Sequence, residues 1–143
     1  MRSRGEEGSA TVEFVVLGVL MMVPLVYLVM SVGRVQAGSY AVTTAAREAG
    51  RAFVTAAAGE DAAGRARAAA AIAFADQGFD GSGALEISCS TTPCLTPDTR
   101  VETTARVTVP LPLIPAFARD VVPLEIPLSA SHLSTVDRFR AGP

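Results

Sequence analysis

The sequence predicts an α+β protein in which a long apolar N-terminal helix precedes a second short helix and a small antiparallel sheet of about three strands. Three observations favour this class. Residues 10–33 are apolar except for one glutamate, residues 34–77 are rich in alanine, and residues 84–130 contain three segments of alternating polarity. A change from helical to two-residue periodicity near residue 78 is typical of helices followed by a sheet.

The composition argues against several classes of function. The formal net charge is −2, so no field of a single sign favours nucleic acid. One histidine, two cysteines and no tryptophan leave little material for metal or cofactor chemistry, and we expect no cofactor. The sequence lacks a phosphate-binding loop, metal-ligand spacing and a nucleophile with an orienting base. We therefore expect neither an enzyme nor a small-molecule substrate.

Residues 9–33 have the length of a transmembrane helix. The 24 residues that follow Ser9 would extend about 36 Å as a helix, and the hydrocarbon core of a bilayer is about 30 Å thick. Arg34 ends this segment, and Pro24 near its middle predicts a kink. A secretory signal cleaved after Ala37 is the alternative, but its apolar part would exceed the usual length of about 7–15 residues.

Glu13 is the one charged residue inside this apolar segment. A carboxylate at mid-membrane costs about 2.5–3.5 kcal/mol, and less near the interface. Either Glu13 lies shallowly among the lipid headgroups, or it pairs with a cation when the helix packs against other helices. Cleavage between Gly8 and Ser9 would supply that cation, because it creates an α-amino group at Ser9 and makes Glu13 the fifth residue of the mature chain.

This pattern resembles a known family. The segment Gly8-Ser9-Ala10-Thr11-Val12-Glu13-Phe14, then Pro24, then Ala45-Ala46-Arg47-Glu48-Ala49-Gly50-Arg51, is similar to the TadE-like family. These proteins are minor pilins or pseudopilins of the tight-adherence (Flp) pilus machinery, and the resemblance covers about residues 5–53.

The resemblance implies that residues 1–8 are a leader, which a prepilin peptidase removes at the cytoplasmic face of the membrane. It also implies a single-pass protein of the cytoplasmic membrane with its N-terminus inside and its C-terminal head outside. Its partners would be other pilins and the pilus assembly machinery, and it would be incorporated in a pilus or associated with its base. Glu6 and Glu7 depart from the basic leader of the family, and a cut between Gly5 and Glu6 is the alternative site.

Residues 34–58 are predicted to continue the helix outside the membrane, because they are rich in alanine and contain no proline. Small and apolar residues at three- and four-residue steps predict its packed face: Val35, Gly38, Val42, Ala45, Ala49 and Phe53. Arg47, Glu48 and Arg51 fall outside this face, and Glu48 and Arg51 are spaced to pair. These three residues form either a solvated surface or a docking site for an acidic partner or a neighbouring subunit.

Residues 59–143 are predicted to form a small extracytoplasmic α+β head. Its helix covers residues 61–77, with Asp61 as the N-cap and Gly78 as the stop. The predicted apolar face of this helix consists of Ala66, Ala70, Ala73 and Phe74.

Alternation of polarity predicts three strands, at residues 84–90, 100–109 and 124–130. Pro127 in the third segment favours an edge strand or an interrupted one, because proline cannot donate to a sheet ladder. His132 is expected to be a half-exposed strand residue. Residues 110–123 are apolar and rich in proline, and they either cover one end of the core or form an exposed ridge.

Cys89 and Cys94 lie between the first two predicted strands. A disulfide across this loop is the simplest interpretation, and it fits an extracytoplasmic head because such bonds persist in oxidising compartments. The alternative is a pair of free thiols in a cytoplasmic domain.

Three functional hypotheses follow from the sequence. The favoured one is a minor pilin or pseudopilin that assembles through its N-terminal helix. The second is a single-span membrane-anchored binding protein with an uncleaved N-terminus, in which Glu13 is incidental. The third is a secreted enzyme, but the sequence contains no catalytic arrangement that would support it.

Overall fold

The computed structural model describes residues 7–112 and 125–139, and over these ranges it contains two helices and three strands. In chain order they are α1 (Glu7–Val54), α2 (Ala62–Asp76), β1 (Gly83–Cys89), β2 (Arg100–Pro110) and β3 (Glu125–Thr135). The strands form one antiparallel sheet in the order β1-β2-β3. The predicted α+β class is therefore confirmed.

Helix α1 is a single α-helix of 48 residues that passes through Pro24. It ends at Val54, earlier than the predicted limit at residue 58, and a turn leads into α2. This turn is closed by Glu60, whose carboxylate accepts a hydrogen bond from the Ala57 N–H and pairs with Arg65. The helix propensity of alanine alone would extend α1 further, but the polar turn ends the helix at Val54.

Both predicted ends of α2 are confirmed. The Asp61 side chain accepts a hydrogen bond from the Gly64 N–H at 2.9 Å, as an N-cap does. At the other end Gly78 has a φ of +75°, and the Phe79 N–H donates to the Phe74 carbonyl at 2.9 Å. This is the Schellman arrangement, in which the left-handed position favours glycine. The predicted apolar face of α2 is buried: Ala66, Ala70, Ala73 and Phe74.

One face of the sheet packs against the helices and the other faces solvent. On β2 the helix-facing side chains are buried, as predicted: Val101, Thr103, Ala105, Val107 and Val109. The solvent face carries polar pairs across the strands, including the Glu86–Arg106 ion pair at 3.1 Å and the Thr104–Ser131 hydroxyl pair at 2.9 Å. Strand β3 lies at an edge with Pro127 opposite Thr108, which confirms the edge assignment.

Strand β3 continues to Thr135, five residues beyond the predicted end at residue 130. Its added part includes His132 and Ser134, which are half-buried on the helix-facing side. An apolar pattern could not reveal this part because its inward positions are polar. The first predicted residue of this strand, Leu124, and most of the apolar segment 110–123 lie outside the described residues.

Close approach of α1 to the sheet depends on small residues. An added Cβ at Gly38 would meet Leu128 Cδ1 at 2.8 Å, and one at Gly50 would meet Ser134 Oγ at 2.6 Å. The predicted packed face of α1 is therefore correct but narrower than the observed one, which also buries Ala41, Ala46 and Gly50. The core is consequently rich in alanine, and its larger members are mostly valine and phenylalanine.

Candidate functional site

Helix α1 has two parts with different environments. From Val12 to Val32 the valine, leucine, methionine and phenylalanine side chains are 46–78% exposed and Tyr27 is half-buried. From Gly38 onward one side of the helix is buried against α2 and the sheet. We call residues 10–33 the free half and residues 38–54 the packed half. By length and composition this helix is able to cross a membrane, with a mean hydropathy of 2.6 over its most apolar window.

The predicted cleavage site and Glu13 lie at the beginning of the free half. Helix α1 begins at Glu7, so the backbone of Gly8 and Ser9 is helical. Glu13 is exposed and has no ion-pair partner among the described residues. Ser9 and Glu13 are four residues apart, so they lie on the same side of the helix, about 6 Å apart along its axis.

Pro24 lies in the middle of the free half. Its ring nitrogen cannot donate to the carbonyl of Leu20, so that helical hydrogen bond is missing. An open apolar groove beside it is lined by Val19, Val23 and Tyr27 among others. The free half therefore has an irregular apolar surface and lacks one helical hydrogen bond at mid-length.

Arg47, Glu48 and Arg51 lie on the exposed side of the packed half, as predicted. Ion pairs join Arg65 to Glu60, Arg106 to Glu86 and Arg138 to Asp98 in the part of the chain that the structure describes. Glu48 and Arg51 do not form such a pair there, although their spacing permits it. All three side chains remain open to solvent or to a partner.

The Cys89–Cys94 disulfide is present, with the two Cα atoms 5.4 Å apart. It closes the loop between β1 and β2, which is also held by a bond from the Ser90 N–H to the Arg100 carbonyl at 2.9 Å. Cys89 lies opposite Val101, and Val101 lies opposite Ser134 near Gly50. The disulfide loop is therefore at the end of the head that is distant from the free half of α1.

Sequence reasoning missed a contact between α1 and the head directly after the free half. The Arg34 guanidinium lies over the Phe79 ring, 5.4 Å from its centroid, and Phe79 is only 3% exposed. The sequence marked Arg34 only as the end of an apolar segment. Phe79 had a detectable signal, since it follows the helix-stopping Gly78 at the position where an apolar contact commonly accompanies this cap.

The fold and the free half of α1 define a class of proteins that carry a small head on one long N-terminal helix, consistent with single-pass membrane anchoring. Within this class, residues 8–51 match the TadE-like protein family. This confirms the resemblance, and the match begins at the predicted cleavage position. Neither curated proteins nor solved structures give a match to the chain.

The family match covers the free half and nearly all of the packed half of α1, and it ends before the rest of the head begins. A TadE-like domain suggests a protein associated with the tight-adherence (Tad) pilus. The matched segment includes Glu13, Pro24, Arg47, Glu48 and Arg51.

Proposed function

We propose that this chain is a minor pilin or pseudopilin of a tight-adherence (Flp) pilus assembly or secretion system. Residues 9–33 anchor it in the cytoplasmic membrane, with the N-terminus inside and the head outside, and the free half of α1 later packs against other pilins. The observation that carries the proposal is a TadE-like helix whose free half is apolar on all sides.

The division of α1 supports assembly through this helix. The packed half has buried one face inside its own head, so it is rigidly attached, while the free half keeps most of its apolar surface exposed in the part of the chain that the structure describes. A fibre needs a heterologous contact that does not close into a ring, and parallel helices offset along their axes supply one. The head then remains on the outside of the helical bundle.

Glu13 would set the axial register of this packing. After removal of residues 1–8 by prepilin peptidase, the Ser9 ammonium and the Glu13 carboxylate lie on one side of the helix, about one turn apart. A neighbouring helix displaced by about that distance brings the ammonium of one chain to the carboxylate of the next. Any other displacement leaves a charge unpaired in an apolar environment, which is strongly unfavourable.

Mass spectrometry of the membrane-bound protein tests this proposal. We expect a chain that begins at Ser9 in cells with the peptidase and at Met1 in cells without it. Glu13→Ala is expected to insert in the membrane but to lose its co-purification with other pilins. Glu102→Ala is the control, since it removes an exposed carboxylate from the solvent face of the sheet.

A second candidate is a membrane-anchored binding protein that keeps its N-terminus. It is favoured by Glu6 and Glu7, which precede the predicted cut where the family has basic residues. An intact Met1 in cells that assemble normal pili would support this candidate and would contradict the pilin proposal.

A further inference from the structure

We propose that the head contacts the bilayer directly, through a basal surface formed by Arg34, Asp80, Leu111, Pro112 and Glu125, and that its partner there is a zwitterionic phospholipid headgroup. The inference rests on the proposed anchoring by residues 9–33 and extends it, because it assigns a lipid contact to the head itself.

No flexible linker separates the free half of α1 from the head. The helix is continuous from Glu7 to Val54, and at Gly38 it lies close against Val109 and Leu128 of the sheet. Gly38 is five residues beyond Gly33, which corresponds to about 7.5 Å along a helix. Headgroups occupy roughly 5–7 Å on each side of the hydrocarbon core, so the head begins where the headgroup layer ends.

The sheet brings further residues toward the membrane. Strand β2 runs from Thr103, which contacts Ala46, to Val109, which lies against Gly38. The strand is therefore directed toward the free half of α1. Its six steps from Thr103 to Val109 cover about 20 Å of strand but only about 12 Å of helix axis, so each residue advances by about 2 Å along α1. Leu111 and Pro112 directly follow the end of β2 at Pro110, with Pro112 in a turn, and both are half-buried. A position two residues beyond Val109 lies within the depth of the headgroups, and we expect Leu111 and Pro112 there.

Arg34 is placed to bind a phosphate. Its guanidinium is stacked on the Phe79 ring, which holds it between the free half and the head. It forms no ion pair within the described residues, so its N–H groups are available. A stacked guanidinium still presents its N–H donors in its own plane, where a phosphate can accept two hydrogen bonds from it.

The charges of the basal surface indicate which headgroup it fits. Asp80 follows Phe79 directly, Glu125 lies opposite Pro110 at the start of β3, and both carboxylates are exposed. One cation and two anions would repel a strongly anionic lipid surface. A zwitterionic headgroup such as phosphatidylethanolamine offers a phosphate to Arg34 and an ammonium to the carboxylates.

Fluorescence quenching by brominated phosphatidylethanolamine in proteoliposomes tests this contact on the full chain. The chain has no tryptophan, so Leu111→Trp, Pro112→Trp, Leu17→Trp and Ala58→Trp are single probes. Leu17 is in the free half, and Ala58 is exposed in the turn after α1, at the distant end of the head. Leu111→Trp and Pro112→Trp are expected to lose more than about half of their emission when bromine lies near the headgroups, and Ala58→Trp is expected to be unaffected.

The probes separate two kinds of failure. If Leu17→Trp is quenched by bromine deep in the acyl chains while Leu111→Trp and Pro112→Trp respond like Ala58→Trp, the basal contact is refuted and the anchoring is retained. If Leu17→Trp is not quenched, the anchoring fails and the inference fails with it.

The role of Arg34 is tested in the Leu111→Trp background. Arg34→Gln is expected to reduce the shallow quenching about twofold, because loss of the phosphate anchor changes the tilt of α1 and moves Leu111 away from the headgroups. Arg47→Gln, an exposed arginine of the packed half, is the matched control and is expected to have no effect. Equal quenching in both variants would refute the assignment of the phosphate to Arg34.

Discussion

The Thr103 hydroxyl on β2 donates a hydrogen bond of 2.7 Å to the carbonyl oxygen of Ala46 in the packed half of α1. Thr103 is fully buried, so this polar contact joins the helix to the middle strand inside the core. Its geometry fixes the position along α1 at which the sheet is attached. The distance between the head and the free half depends on that position.

Thr103→Val is expected to lower the free energy of unfolding of the head by about 1 kcal/mol, the usual net contribution of one hydrogen bond. The change conserves shape, so no cavity is created. Thr104→Val is the control, because Thr104 is on the solvent face and its bond to Ser131 is exposed. Denaturant unfolding in detergent, followed by circular dichroism, measures both, and equal stabilities of the two variants would contradict the prediction.

Gly38→Ala is expected to destabilise the head by about 1–3 kcal/mol, the usual cost of overpacking a core. A Cβ at this position would overlap Val109 and Leu128. Gly33→Ala, five residues earlier in the same helix, has nothing within 4 Å of the added Cβ, and alanine favours a helix. Thermal unfolding should therefore separate the two variants, and a Gly38→Ala protein as stable as Gly33→Ala would exclude the close contact.

Glu60 gives the head a predictable response to acid. The bond from the Ala57 N–H, and then the ion pair with Arg65, hold the pKa of this carboxyl below its usual value. A lowered folded-state pKa contributes stability above the unfolded-state pKa, and this contribution is lost as the pH falls through the folded-state pKa.

Glu60→Gln is accordingly expected to be less stable than the unmodified chain at neutral pH, and the difference is expected to disappear on acidification below pH of about 4. Glu48→Gln, which alters an exposed and unpaired carboxylate, serves as the control. Unfolding curves at a series of pH values provide the measurement. A difference between the Glu60→Gln variant and the unmodified chain that stays constant with pH would show that the carboxylate charge is not the cause.

Cleavage of the Cys89–Cys94 disulfide by a reducing agent is expected to cost about 2 kcal/mol, because it releases a short closed loop in the unfolded chain. The loop keeps its hydrogen bond from Ser90 to Arg100, so the sheet should persist. Urea unfolding with and without the reductant measures the change. If loss of the disulfide causes the change, the stability of the Cys89→Ser, Cys94→Ser double variant must not depend on the reductant.

Periodicity was sufficient to predict most of the fold. The alternation at residues 100–109 identified β2 and its buried face, and Asp61 and Gly78 identified both ends of α2, because these signals are local. His132 lies in a strand and is half-buried, as expected, but the predicted end of β3 at residue 130 was too early because His132 and Ser134 occupy inward positions that apolar patterns do not mark. The end of α1 depended on Glu60 contacts with Ala57 and Arg65, which no propensity scale contains.

The candidate site was predictable in part for the same reason. Glu13 and Pro24 are unusual residue types within an apolar segment, so each could be recognised from its own position in the sequence. The contact of Arg34 with Phe79 joins residues 45 positions apart, and the bond of Thr103 to Ala46 joins residues 57 apart. Such contacts arise from the packing of the helix on the sheet, and a linear pattern does not encode them.

Reversal of charge at Arg47 and Arg51 tests whether the exposed side of the packed half is a docking surface. Neither side chain forms an ion pair within the described residues, so the Arg47→Glu, Arg51→Glu double variant should stay within about 0.5 kcal/mol of the original stability. If these arginines contact an acidic partner or a neighbouring pilin, the variant will be inserted and cleaved normally but will lose co-purification with the pilus machinery. The control is Arg67→Glu, Arg100→Glu, since both are exposed arginines outside the packed half and neither forms an ion pair within the described residues. Normal co-purification of the first variant would identify its surface as merely solvated.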